Sequence, residues 1–149
     1  MSEQNKALVR RAVERIWNDA DYAVLDQFVS EDFHIHGGAP GTEIHGREGT
    51  AQYFAALRSA FPDLRFSIDD QIAEGDRVVT RWSASGTHLG NFFGIPPSGK
   101  RVTFEGTDID RIANGLVVEC WPRVDELWLL QQLGAIPAPQ TAPAGQVAE

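Results

Sequence analysis

The order of hydrophobic patterns predicts an α+β fold, with N-terminal helices packed on one face of a curved sheet whose strands form an antiparallel meander. Three observations carry this. Apolar residues in the first 61 positions recur at three- and four-residue steps, those from Leu64 onward alternate, and a helical period returns at Asp125. No repeat or composition shift marks a second domain, and 149 residues bury a core without staples.

Ser2 to about Asn18 reads as the first helix. Val9, Ala12, Val13, Ile16 and Trp17 share one face, and Arg10, Arg11, Glu14 and Arg15 fill the other. Asp21 is placed to cap a second, short helix that turns Leu25, Phe28 and Val29 inward. Phe33–His36 reads as a short extended piece ahead of the glycine-rich loop Gly37–Gly41. A third helix follows Gly46 with Phe54, Leu57 and Phe61 on one stripe, and Pro62 ends it because the residue before a proline resists the helical region.

Strands follow. Leu64, Phe66 and Ile68 alternate with polar neighbours, and Glu74-Gly75-Asp76 turns the chain into a long strand, Arg77–His88. Leu89–Lys100 carries Phe92, Phe93 and Ile95 between glycines, the mark of an ordered apolar loop. Arg101–Ile112 forms the next strand, and Ala113-Asn114-Gly115 returns it antiparallel as Leu116–Val124. Gly86 and Gly106, inside two strands, are candidates for the bulges that curl a sheet. Pro122 cannot donate to a ladder, which predicts a bulge or an edge beside it. The domain closes at Gly134; residues 135–149, rich in alanine and proline without periodicity, read as a flexible tail.

A net charge of −8 and a pI near 4.9 argue against nucleic acid or an anionic membrane as partner, since no basic stripe offsets the repulsion. One cysteine, Cys120, allows neither an internal disulfide nor a thiolate zinc cluster. The opening residues lack an apolar signal core and no membrane-length apolar run occurs, so the cytoplasm is the expected location.

Nucleophile-elbow, phosphate-loop and dinucleotide signatures are missing, which leaves a cofactor-free reaction or a pure binding role. Asp125, where strand becomes helix, either caps that helix or presents its carboxylate to a cavity, and the residues alone leave the two even. Arg81 lies within a predicted central strand and needs a carboxylate or a ligand, Glu119 or Asp125 being the structural candidates. His34 and His36 sit two apart, so an extended segment sets both rings on one side; with Asp110 or Asp125 they form at most a weak metal-ligand pattern, and His36 lining a polar pocket is preferred. His45 and His88 read as polar residues at element ends. Trp82, Trp121, Trp128, Phe92 and Phe93 are core or pocket wall. Asp110 with Arg111 reads as a solvated face.

Several stretches resemble the SnoaL-like polyketide cyclases of the nuclear transport factor 2-like superfamily. They are Ala60-Phe61-Pro62-Asp63, Glu74–Trp82, Gly86-Thr87-His88, Gly94-Ile95-Pro96-Pro97-Ser98-Gly99-Lys100, and Gly115 through Gln131-Gln132-Leu133-Gly134. The resemblance runs from the first helix to Gly134. It implies a cone-shaped α+β barrel, its N-terminal helices packed on a strongly curved mixed, mostly antiparallel sheet that encloses one pocket, and a cofactor-independent intramolecular aldol ring closure of an aromatic polyketide ester. It further implies an aspartate near the end of the last strand as general acid/base, the matching position being Asp125. A carboxylate inside an apolar cone has its pKa raised by desolvation, as a base that abstracts a proton α to a carbonyl requires.

On that reading Arg81 and His36 polarise or orient the substrate, a small hydrophobic or aromatic ligand lined by Trp82, His34, Phe92, Phe93, Trp121 and Trp128. Neither metal nor cofactor is called for, and a homodimer through the open sheet face is expected. The alternative is a non-catalytic ligand-binding or interaction domain on the same scaffold. An epoxide hydrolase of the limonene type ranks lower, because Ser83 stands where a second aspartate is wanted.

Overall fold

A computed structural model of the chain describes residues 2–37 and 42–138. Most of the glycine-rich loop, 38–41, and most of the expected tail, 139–149, lie outside the described residues.

The elements run α1 (Ser2–Ala12), a π-helical turn (Val13–Asn18), a 3-10 turn (Tyr22–Gln27), β1 (Val29–Ile35), β2 (Ile44–His45), α2 (Gly46–Ala60), β3 (Arg65–Glu74), β4 (Arg77–Thr87), β5 (Arg101–Ala113), β6 (Leu116–Val124) and α3 (Glu126–Gln132). Among the described residues, six strands form one sheet in the order β2-β1-β6-β5-β4-β3. Of these strands, as far as the described residues go, β1 and β6 are the one parallel pair and the other pairs are antiparallel. The mixed, mostly antiparallel α+β layout expected from the sequence is therefore the one observed.

Strand parity decides which side chains face the helices. On β4, Val78, Thr80, Trp82 and Ala84 are buried, while Arg81 between them is exposed. On β5 the buried set is Val102, Phe104, Asp108, Asp110 and Ile112. Leu8, Val9, Val13 and Ile16 from the first helical segment close over this concave face, with Leu57 and Ala60 from α2. Trp17 ties helix to sheet: its ring lies 4.8 Å from that of Phe66 and 5.9 Å from that of Trp82, both edge-on.

Two local expectations need correction. Asp21 precedes the 3-10 turn but makes no side-chain cap; its carboxylate takes Arg15 Nη2 at 2.6 Å. The sheet's irregularities fall between Val29 and His34, Ile68 and Asp70, and Arg111 and Ile112, not at the glycines. Gly86 and Gly106 permit close approach instead: an added Cβ would meet Phe61 Cβ at 3.1 Å and Trp82 Cζ2 at 2.3 Å respectively. His88, just past the end of β4 as expected, is wholly buried, its Nδ1 accepting the Ser98 N–H at 3.2 Å.

Pro122 pairs in register with Asp108, beyond the last β1–β6 partner Cys120. On its β1 side the strand is thus an edge among the described residues, where a missing N–H costs nothing.

Candidate active site

The concave face holds a small cavity of about 60 Å³, room for a few waters. Val9, Val13, Ile16 and Trp17 wall it from the helical side, and Asp110 and Cys120 reach it from the sheet. Among the described residues, Asp110 is the one acidic residue in that lining.

β5 sets Asp108 and Asp110 two apart, so both point inward. Asp108 is 3% exposed and its Oδ1 accepts the indole N–H of Trp82 at 3.1 Å. Burial pushes its carboxyl up to about 7, against the lowering effect of that indole bond. Asp110, 9% exposed, is pushed up to about 8, first by burial and next by the field of Asp108, while a hydrogen bond with Cys120 acts in the opposite sense. The thiol of Cys120 is raised well above its ordinary value by burial and by the two aspartates. From α2, the Tyr53 phenol is driven to about 12 by burial and by Asp108, Glu126 and Cys120. The interior thus holds two carboxyls that burial favours as neutral acids, in an otherwise apolar chamber.

The residues singled out from the sequence do not meet in this cavity. Asp125 is exposed and caps α3, its Oδ1 accepting the Trp128 N–H at 3.3 Å. Asp125 lies past the end of β6, and the aspartates buried on the inward face of the sheet are Asp108 and Asp110. Arg81 points outward, 60% exposed, with Asp69 Oδ2 3.9 Å away. Glu119 is taken by Arg111, at 2.8 and 2.6 Å, not by Arg81.

His34 and His36 share a side, as expected, but it is the outer one. His36 Nε2 lies 2.8 Å from Glu119 Oε2, and its ring stacks at 4.8 Å on Trp121. The bonds from His36 and Arg111 hold the Glu119 carboxyl below the usual carboxylate range. His34 stacks between His36 and His45, on the face opposite Asp110, so the metal pattern is not brought together. Trp82 is sealed in the core at 3% exposure. Phe92 packs edge-on against Phe61 at 5.4 Å, Phe93 is 72% exposed, and Trp128 is partly exposed on α3.

A sequence model of the SnoaL-like polyketide cyclases matches residues 7–133. The chain belongs to that family. It is similar to aklanonic acid methyl ester cyclase DnrD of Streptomyces peucetius, 29% identical over 131 residues that span 85% of this chain and 88% of that protein. Among solved structures it resembles AclR of Streptomyces galilaeus, a candidate hydroxylase, at TM-score 0.81 and 29% identity over 94% of this chain and 87% of the other. TsrD of Streptomyces laurentii is 33% identical, with TM-score 0.77 over 87% and 97% of the two chains. This SnoaL-like chain is accordingly of polyketide cyclase type, on the nuclear transport factor 2-like fold. No helix among its described residues is long and apolar enough to cross a membrane.

The interior pair of this SnoaL-like chain escaped the sequence reading, yet a signal was present. Val102, Phe104, Asp108, Asp110 and Ile112 all occupy even positions on β5, so the two acids interrupt an apolar face. Read with its neighbour Arg111 alone, Asp110 looks solvated; read by parity, it is interior.

Proposed function

We propose that this protein is a cofactor-independent cyclase acting on a small aromatic or apolar carbonyl compound, with Asp110 as general acid/base. The observation that supports it is the placement of Asp110: on the cavity wall, bonded to Cys120 and within the field of Asp108. A carboxyl held near neutrality both takes a proton α to a carbonyl and returns one to the alkoxide of an aldol addition. Conjugation in an aromatic substrate spreads the enolate charge. A cavity of about 60 Å³ is far below the several hundred that a ring system fills, so entry requires the wall of Val9, Val13, Ile16 and Trp17 to move from the sheet.

The competing assignment keeps the acid/base at Asp125, on the strength of its place at the end of the last strand. Ring closure of an aromatic polyketide methyl ester, the class on which DnrD is named to act, separates the two. Asp110→Asn is expected to lose at least about a hundredfold in kcat and Asp125→Asn no more than a few-fold. The reverse order returns the role to Asp125. Ester binding without turnover by the wild type favours a ligand-binding module. For the expected homodimer, the outer face offers Ile109 and Trp121, over which Arg77 lies at 5.0 Å; light scattering of Trp121→Glu beside wild type tests that surface.

A further inference from the structure

Asp108 and Asp110 differ in what holds them. In the β4–β5 register Trp82 stands opposite Gly106 and Thr80 opposite Asp108. A Cβ at position 106 would lie 2.3 Å from Trp82 Cζ2 and 2.7 Å from Cε2. The indole therefore lies across the bare backbone of Gly106 and reaches diagonally to the next inward residue, Asp108. Three rings fix it there edge-on: Phe66 at 5.3 Å, Trp17 at 5.9 Å and Phe104 at 5.9 Å.

We propose that Trp82 is the positioning residue of this site: seated over Gly106, it makes Asp108 the carboxylate of the pair and leaves Asp110 the proton. The inference rests on the reading of Asp110 as acid/base.

The chemistry is that of the donors. An indole N–H donates and cannot accept, so its bond favours the ionised form of Asp108. The partner of Asp110 is a thiol, a weak donor that also accepts, and its claim on a carboxylate is smaller. In so dry an interior the charge on Asp108 opposes that on Asp110, so Asp110 keeps its proton to higher pH. The other groups around them are the Cys120 thiol on β6, Tyr53 on α2, whose phenol also feels exposed Glu126 of α3, and the Thr80 hydroxyl, which accepts from Gln71 at 3.2 Å. None of these supplies Asp108 with a cation. The base step then belongs to the fraction of molecules in which Asp110 has ionised, a fraction that grows toward pH 8; there Asp110 takes the α proton and, so protonated, returns it to the alkoxide oxygen.

Nuclear magnetic resonance on the free protein tests the order of ionisation without a substrate. The indole N–H signal of Trp82, assigned by its loss in Trp82→Phe, is followed from pH 5 to 9. It is expected to move through one titration in the wild type and to stand still in Asp108→Asn, whose amide oxygen preserves the bond. Asp110→Asn is expected to leave the midpoint nearly unchanged, since the neighbour is already neutral when Asp108 ionises.

A midpoint that falls by about one pH unit or more in Asp110→Asn means that Asp110 ionised first, and overturns the proposal. So does a Trp82 signal indifferent to pH. Carbon-13 titration of the aspartate carboxyls in wild type and Trp82→Phe gives the same order if an asparagine variant does not fold; Asp108 must titrate below Asp110 with the indole and lose that lead without it. Normal ring closure by Asp110→Asn beside the expected titration overturns the acid/base reading and leaves the Trp82 assignment standing. Loss of ring closure with a silent Trp82 does the opposite.

Discussion

The guanidinium of Arg58, on α2, donates to the backbone carbonyl of Trp17, the residue whose ring roofs the interior cavity. The same side chain donates to Asn18 O at 3.1 Å and to Leu64 O at 2.6 Å. It thereby satisfies carbonyls at the end of the π-helical turn that have no helical partner. Asn18 adds a two-way bond to the backbone of Phe66, at 3.1 and 2.7 Å. Arg58→Met is expected to cost about 3 kcal/mol by stranding these carbonyls. Lysine, with one compact ammonium in place of a fork, recovers less than half. Urea midpoints of the three proteins check this.

The buried aspartates set a pH dependence. An unfolded aspartate ionises near pH 4, whereas Asp108 and Asp110 in the fold hold their protons to about 7 and 8. Between those limits the folded state binds more protons than the unfolded one, so stability falls as pH rises. Each group contributes a slope of up to about 1.4 kcal/mol per pH unit, levelling off once the folded carboxyl ionises. Asp110→Asn removes its share, so its curve is flatter and its stability relative to wild type greater at pH 8 than at pH 5. Denaturant titrations at pH 5, 6.5 and 8 read this out; a flat wild-type curve means that the carboxyls are not held neutral.

Cys120 is 6% exposed and its thiol is shifted away from the reactive thiolate by burial and two neighbouring acids. Iodoacetamide is expected to modify the native protein at least a hundredfold more slowly than the urea-unfolded chain. Rapid labelling of the folded protein at pH 8 would mean that the cavity wall opens readily.

The sheet was legible because its residues obey one period at a time. The Glu74-Gly75-Asp76 and Asn114-Gly115 turns separate runs whose alternation survives into burial, and Arg81, Ser83 and Ser85 do turn away from Trp82 and Ala84. The site was less legible. Its carboxyls lie on a strand whose sequence neighbours, Ile109 and Arg111, face the other way, and the β6 irregularity that carries both Val117 and Cys120 inward leaves no mark in composition. Asp125 drew attention through its place between strand and helix, and that place is what makes it a cap.

Since asparagine caps a helix about as well as aspartate, Asp125→Asn is expected to change stability by less than about 0.5 kcal/mol, and Asp125→Ala to cost about 1. Equal losses for both, measured by chemical denaturation, would mean that the charge and not the cap holds this end of α3.

Gly106→Ala tests the seat of Trp82. The new methyl carbon has the indole at 2.3 Å and the carbonyl oxygen of Arg123 at 2.8 Å, so ring or strand must shift. Overpacking of this kind costs about 2 kcal/mol or more. The ring is the larger obstacle, and a phenyl at position 82 lacks Cζ2, the atom that comes closest. In a Trp82→Phe background the same substitution is therefore expected to cost about 1 kcal/mol less, a coupling that a double-mutant cycle measures directly. Strict additivity of the two changes would place the strain on the β5–β6 backbone, and would leave Trp82 free of any dependence on the missing side chain beneath it.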